Sequence, residues 1–367
     1  MGKEIDILGF LKPVKISDLA NKRKINITGK FKEKKIGGGL IKREKIYDTY
    51  WRWCFHRQEI FFKRFENSKF SIYMPDRIFS HYKFCNVYRA SDRVSQYLIK
   101  NIIYKEEAKD LKPEDHIFRI LFFRLLNRYE TWTYLEEKLG LITYSNYDFE
   151  KISNALLSLE KTGNIVYGSA FMLSGVKIYN EDKKFKNHLK LMEVILNGNF
   201  PARLAKAKTM REVYEMIGAY PLIGKFMAYQ MAIDLNYSEL INFSENDFTV
   251  AGPGAERGIA KCFVDIGGHN LTYVINYMVD HQEEEFKRLN LDFKSLWGRP
   301  MHAIDCQNVF CETDKYCREA FPELSSNRSR IKTEYKKTTK QIDYFYPPKW
   351  NINDKIKNHL DKLQKKK

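Results

Sequence analysis

Two stretches of this chain set polar side chains at a spacing that could do chemistry. In Phe84-Cys-Asn-Val-Tyr-Arg-Ala-Ser-Asp-Arg-Val-Ser-Gln-Tyr-Leu98, residues Asn86, Arg89, Arg93 and Gln96 recur at i, i+3, i+7 and i+10. On a helix that spacing makes one stripe. Its forked guanidinium and carboxamide groups suit a phosphate or a base edge. Asp92 offers the plainer alternative, an ion pair with Arg89 or Arg93. In Met301-His-Ala-Ile-Asp-Cys-Gln-Asn-Val-Phe-Cys-Glu-Thr-Asp-Lys-Tyr316, residues Asp305, Asn308, Glu312 and Lys315 repeat the same spacing. Two carboxylates, an amide and an ammonium on one face can move a proton or hold the amine of a co-substrate. The alternative is an exposed Glu312–Lys315 pair contributing about 0.2–0.5 kcal/mol. Farther along, Val250-Ala-Gly-Pro-Gly-Ala-Glu-Arg-Gly258 is a Gly-rich turn opening a helix. Gly252, Gly254 and Arg257 there could cradle an anion, or the glycines could only shape a tight turn. His302, Cys306, Cys311 and Cys317 lack the Cys-x-x-Cys knuckle of zinc sites, so no metal or cofactor is expected.

The elements that must position these residues are mostly helices. A long helical pattern starts at Tyr47 and is interrupted by Pro75; others run from about Tyr82 to Tyr104 and from Pro113 to Tyr129. Short helices are expected over 131–160, then at 181–197, 209–218, 224–236, 257–265, 270–290 and 304–320, with a hairpin or irregular loop from Ile165 to Ile178. The fold class is therefore mainly α and multi-helical. Residues 1–45 carry a net +8 and residues 328–367 a net +9, leaving the body neutral. The expected organisation is a basic N-terminal arm over 1–45, with a flexible stretch ending in Gly37-Gly38-Gly39, a helical domain over 46–324, and a basic tail over 325–367. Basic ends around a neutral body fit a polyanion partner, and equally fit tails that aid solubility. Six cysteines in 367 residues make no disulfide framework, and the start Met1-Gly2-Lys3-Glu4-Ile5-Asp6 has no apolar signal core. No run of apolar residues is long enough for a membrane span, so a cytoplasmic or nuclear protein is expected.

Longer blocks carry a resemblance. Tyr50-Trp-x-Trp53 with Arg57-Gln58, Asn86 through Leu98, Ala228-Tyr-Gln230, Asp234-Leu-Asn-Tyr-Ser238, Ala251 to Ala255 with Arg257-Gly258, and Asp305-x-Gln-Asn308 through Tyr316 resemble the helical domain of hydroxymethyl-deoxyuridine DNA kinases. Together they resemble the alpha-glutamyl/putrescinyl thymine pyrophosphorylases, or amino-acid:DNA transferases. The resemblance implies a diverged helix-hairpin-helix, DNA-glycosylase-like fold, with the hairpin-like segment at 213–263. Tyr220-Pro-Leu-Ile-Gly-Lys-Phe-Met-Ala228 resembles that hairpin, whose Gly224 and Lys225 would meet a DNA phosphate; Leu222 stands where a glycine is usual. It also implies an enzyme of thymine hypermodification in a virus or phage. Such an enzyme takes double-stranded DNA carrying a modified pyrimidine that an upstream base kinase has phosphorylated, and displaces the phosphate or pyrophosphate with an amino acid or polyamine. Arg57, Arg89 and Arg93 would hold the departing phosphate, with Asn86, Gln96, Gly252, Gly254, Arg257 and Lys315 completing the substrate site. Asp305 or Glu312, with Asn308, would handle the amine's proton. Cys306 or Cys311 adding to the pyrimidine ring is a further possibility. Gly218 to Lys225 is a near miss for an ATPase phosphate loop, with glycines one residue too far apart and Phe226 in place of Ser or Thr. The chain therefore reads as the transferase and not the kinase. A non-catalytic reader of modified DNA and an active glycosylase are the competing readings, the latter disfavoured by Gly252-Pro253-Gly254 at the expected acid position.

Overall fold

The computed structural model describes residues 12–66, 74–170, 175–331, 333–336 and 341–365. It is mainly helical, as expected. The chain divides into two units: an outer one up to Asp92, over Phe248–Tyr344 and from Pro348 onward, and an inserted one over Arg93–Asp247 with Phe345–Pro347. The division departs from the single helical domain read from sequence, and splits the hairpin-like segment 213–263 between the units.

The outer unit begins with α1 (Ile16–Arg23), β1 (Asn26–Ile27), β2 (Glu33–Lys35), β3 (Leu40–Arg43), α2 (Glu44–Glu66) and α3 (Arg77–His81). The stretch expected as a flexible arm is thus folded. Its few apolar residues are enough to anchor it: Ile16, Leu19 and Leu40 are buried. Lysines between them are long enough to keep their ammonium groups in water while their stems cover apolar surface. In α2, Tyr47, Tyr50, Trp51, Cys54, Gln58, Phe61 and Phe62 recur at helical spacing and are buried.

The inserted unit holds α4 (Arg93–Tyr97), α5 (Pro113–Leu126), α6 (Tyr129–Leu139), α7 (Phe149–Lys161), α8 (Lys184–Asn197), α9 (Phe200–Leu204), α10 (Met210–Gly218) and α11 (Lys225–Asn236). Helix α5 is buried from Ile117 to Leu126, including Arg119 and Arg124. Arg124 forms a forked ion pair with the fully buried Asp234 and donates to Asn127 Oδ1 at 2.6 Å, so both charges are compensated. The described part of Ile165–Ile178 forms no strand.

The outer unit resumes with α12 (Pro253–Cys262), β4 (Phe263–Ile266), α13 (Leu271–Asp280), α14 (Gln282–Arg288), α15 (Ala303–Ala320), β5 (Leu324–Ser325) and α16 (Asn353–Gln364). Strands β2, β3 and β4 form an antiparallel sheet in that order, and β1 pairs with β5. The helix expected over 257–265 therefore ends at Cys262, where Arg43 Nη1 donates to the carbonyls of Ala260, Lys261 and Phe263 and satisfies the exposed helix end. The helix expected over 270–290 is broken at His281 into α13 and α14. The tail is likewise not free: the His359 ring of α16 lies against Trp297, and Arg64 of α2 bonds the Tyr335 hydroxyl. Among the described residues, no helix is long and apolar enough to cross a membrane.

Candidate active site

Arg57 sits on the buried side of α2, 6% exposed. Its Nε donates to the Cys85 carbonyl at 2.8 Å. Its Nη1 is buried with no hydrogen-bond partner among the described residues. Leaving such a donor unsatisfied costs about 1–3 kcal/mol. Burial, with Arg64 adding repulsion, lowers its pKa.

The segment beside Arg57 is not the helix expected from Tyr82 to Tyr104. Residues 82–88 are irregular, Arg89–Ser91 make one tight turn, and α4 starts at Arg93. Local side chains win here. Asp92 Oδ1 accepts from the Asn86 N–H at 2.8 Å, and Asn86 Nδ2 donates to the Ser91 carbonyl at 2.7 Å. Asn, Ser and Asp offer the backbone such alternatives to helix. The stripe is consequently divided. Asn86 and Arg89 lie in the outer unit; Arg93 and Gln96 fall in the inserted unit, where Gln96 Oε1 accepts from the Phe345 N–H at 2.9 Å.

The second stripe does lie on one helix, α15, and it meets the 85–89 backbone. Asp305 Oδ1 accepts from the Arg89 N–H at 2.9 Å and Oδ2 from the His302 N–H at 3.1 Å. Asn308 Nδ2 donates to the Asn86 carbonyl at 2.9 Å. Glu312 Oε2 accepts from the Cys85 N–H at 3.0 Å and from Lys315 Nζ at 2.8 Å. The Lys315 ammonium also stands 4.9 Å over the Phe84 ring. Burial would pull that ammonium down, but Glu312 and Cys85 outweigh it and hold it above its ordinary value. The structure thus brings together Arg57, Asn86, Arg89, Asp305, Asn308, Glu312 and Lys315. The Glu312–Lys315 pair is half-buried and holds a loop, unlike the exposed pair that spacing alone allowed.

Sequence reasoning gave Asp92 only a pairing role. Burial pushes its carboxyl up to about 6, and Glu312 adds to the rise, against the Asn86 N–H, Arg57 and Arg89. A carboxyl poised near neutrality beside a buried guanidinium is the arrangement that proton-transfer sites use. The signal in the sequence was the acid within Arg89-Ala-Ser-Asp-Arg93.

The remaining expected residues lie elsewhere. Gly252 is the N-cap of α12, while an added Cβ on Gly254 would come within 2.8 Å of Cys311 Sγ and one on Gly258 within 2.1 Å of the Phe310 carbonyl. Both glycines are accounted for by the close crossing of α12 and α15, without an anion. Arg257 Nε donates to Asp314 Oδ2 at 2.9 Å, Lys261 Nζ lies 3.1 Å from Oδ1, and Arg318 adds a third cation at 2.6 Å. Burial raises the Asp314 pKa, but these three cations more than reverse it and hold it below the ordinary value. Arg257 is therefore engaged in a buried ion cluster. Gly224 and Lys225, both exposed, open α11 in the inserted unit after Leu222, whose φ of 65° is the left-handed conformation that glycine would adopt more easily. Burial pushes the Cys306 thiol up, and pushes Cys311 up to about 12, so neither is an activated nucleophile. Among the described residues, no group of three or more His, Cys, Asp or Glu side chains converges as metal ligands do.

In the outer unit an arginine-bearing helix, a self-closed polar loop and a polar helix face pack onto one another. The particular family follows from comparison: the chain belongs to the family described as 5-hmdU DNA kinase, helical domain, whose pattern matches residues 44–326. A similar protein is a 5-hmdU DNA kinase of Bacillus phage SP10, 24% identical over 326 residues. That match covers 83% of this chain but 50% of the phage protein, so the chain spans about half the length of this relative. No solved structure matches.

Proposed function

We propose that this chain modifies DNA as a transferase, replacing the phosphate or pyrophosphate of an activated hydroxymethyluracil with an amine. The amine nitrogen attacks the exocyclic carbon, the C–O bond to the phosphate breaks, the phosphate leaves with that electron pair, and nitrogen gives up a proton. The observation that carries the reading is the buried Arg57 guanidinium, its Nη1 without a hydrogen-bond partner among the described residues, close to Asp92, on which Arg89 also acts. Cationic forks preorganised at a departing phosphate stabilise the charge that develops there. Because the target atom lies in a base stack, the base is flipped out at a cost of a few kcal/mol, on the order of one unstacked step.

Asp305 has both carboxylate oxygens engaged by backbone N–H groups, which favours Glu312 or Asp92 as the proton acceptor. Asn308 holds the loop that carries Asn86, and Lys315 is suited to anchoring a donor carboxylate through its half-buried ammonium. Retention of transfer in Arg93→Ala would overturn the assignment of the phosphate site. The partners are duplex DNA with a modified pyrimidine, a small amine or amino acid, and an upstream kinase acting on the same base. The relative is named as a kinase, but the matched part is the helical one, and the 367 residues contain no Gly-x-x-x-x-Gly-Lys-Ser/Thr loop.

The test is to incubate the protein with DNA carrying phosphorylated hydroxymethyluracil and a pool of amino acids and polyamines, then digest to nucleosides for mass spectrometry. A new amine-bearing nucleoside is expected. Unchanged bases with retained binding would make it a reader, and abasic sites would make it a glycosylase.

A further inference from the structure

The basic N-terminal segment has a shape that charge counting did not reveal. Among the described residues, strand β2 is the edge of its sheet and pairs with β3 alone, in the register Glu33↔Arg43, Lys34↔Lys42 and Lys35↔Ile41. All three of its residues are exposed, as are Lys30 and Lys32 before it. Lys32 is taken by Glu44 at 3.2 Å, and Lys42 is buried over the Tyr47 ring. Lys30, Lys34 and Lys35 have no carboxylate partner among the described residues. The exposed acid among them is Glu33, and Asp265 on β4 is spent on the Gly267 N–H at 3.0 Å.

The turn that presents this strand is held firmly. Gly38 and Gly39 have positive φ, and an added Cβ at Gly38 would come within 2.2 Å of the Tyr273 hydroxyl. His269 Nε2 bonds the Gly38 carbonyl at 2.9 Å, and its ring stacks on Tyr273 at 3.7 Å. Tyr277, one turn along α13, packs on Gly37 and stacks on His281 at 3.8 Å. Ordering lysines beforehand lowers the entropy lost when a ligand binds. Successive side chains on a strand point to opposite faces, so Lys34 and Lys35 flank the exposed edge on its two sides, with Lys30 in the segment leading into it. Among the described residues the exposed large apolar ones are Ile165, Val176, Ile178, Val194 and Leu360, none of them here, whereas a membrane-surface segment needs an apolar face.

We propose that Lys34 and Lys35, on the clamped edge of the β2–β3–β4 sheet, and Lys30, in the exposed segment leading into it, form a docking edge for the phosphate backbone of duplex DNA. It rests on the reading that DNA is the substrate. The edge reads no sequence and no modification; it holds the duplex while the base chemistry proceeds elsewhere in the chain.

The experiment measures binding of the full chain to unmodified duplex across a range of salt concentrations. It compares K30A/K34A/K35A with K357A/K362A/K365A, which removes three exposed lysines from the terminal helix and its end. Each phosphate contact contributes about 0.9 to the slope of log K against log salt. The β2 variant should bind with a slope shallower by roughly 2 to 3, and the tail variant should match wild type. Both should melt like wild type, since only exposed side chains are removed. Equal changes in the two variants, no change in the β2 variant, or loss of binding to anionic vesicles but not to duplex would overturn the proposal. Since this assay involves no chemistry, a wild type that binds with the expected slope but forms no amine-bearing nucleoside would sink the transferase reading and leave the docking edge standing.

Discussion

Replacing Arg57 with Met separates a functional arginine from a structural one. Met keeps an unbranched chain of similar length in the core of the outer unit but removes every donor. The native side chain makes one bond, from Nε to the Cys85 carbonyl, contributing about 1 kcal/mol net. Against it stands the Nη1 donor, buried without a partner among the described residues, at a cost of about 1–3 kcal/mol. Met also strips the Cys85 carbonyl of its donor and Asp92 of a neighbouring cation, so the net change should stay within about 2 kcal/mol of the native fold, read by urea unfolding followed by circular dichroism. Transfer onto phosphorylated hydroxymethyluracil should meanwhile fall by about 10²–10³, the usual effect of deleting one preorganised donor to a developing anion. Activity would then be lost while the fold is kept, as at sites where function and not packing holds the residue. A variant that loses 2 kcal/mol or more by the same bookkeeping while keeping its turnover would show that Arg57 is a structural residue and that the reasoning is wrong.

Three further outcomes follow from the same geometry. Asp314→Asn leaves Arg257, Lys261 and Arg318 facing no carboxylate and should cost about 3–5 kcal/mol in chemical unfolding. Because the native Asp314 pKa is depressed, its contribution is complete above the ordinary carboxylate range and is lost as pH falls through the native value, so the variant should lack that part of the acid branch. Gly258→Ala drives a methyl to 2.1 Å from the Phe310 carbonyl; the α12–α15 crossing must open, lowering the melting temperature by an amount corresponding to about 1–3 kcal/mol. Asp92 behaves with the opposite sign to Asp314. Its native carboxyl ionises near 6, above the unfolded value, so it makes stability decline as pH rises from about 4 to 6, and Asp92→Asn should remove that decline in urea midpoints taken across the window.

How much of this was legible in the residues depended on whether local hydrogen bonding agreed with periodicity. The α15 stripe was readable because apolar Ile304, Val309 and Phe310 accompany it at helical spacing, and Asp305 closes a capping box with His302. The Asn86–Gln96 stripe has the same spacing, yet Asn86, Ser91 and Asp92 bond to nearby backbone and stop the helix before Arg93. Periodicity cannot weigh that competition. Gly254 and Gly258 are four apart, the spacing of close helix packing, but a Gly-rich turn opening a helix with Arg257 beside it equally fits an anion cradle. Around β2 and β3, lysine content concealed two facts that composition cannot supply: Leu40 is fully buried, and the Lys42 ammonium is folded over Tyr47. Arg57 was named from the resemblance, but only the packing of α2 against the 84–92 loop revealed that one of its donors has no partner among the described residues.

The most direct test follows both halves of the reaction at once. Duplex DNA with phosphorylated hydroxymethyluracil and a ¹⁵N-labelled amine would be monitored by phosphorus NMR for released phosphate or pyrophosphate, and by mass spectrometry for labelled nucleoside. One leaving group freed for each nitrogen joined to the base, with both signals suppressed in Arg57→Met, is the predicted result. Phosphate release without nitrogen incorporation, or incorporation that proceeds unchanged without Arg57, would contradict it.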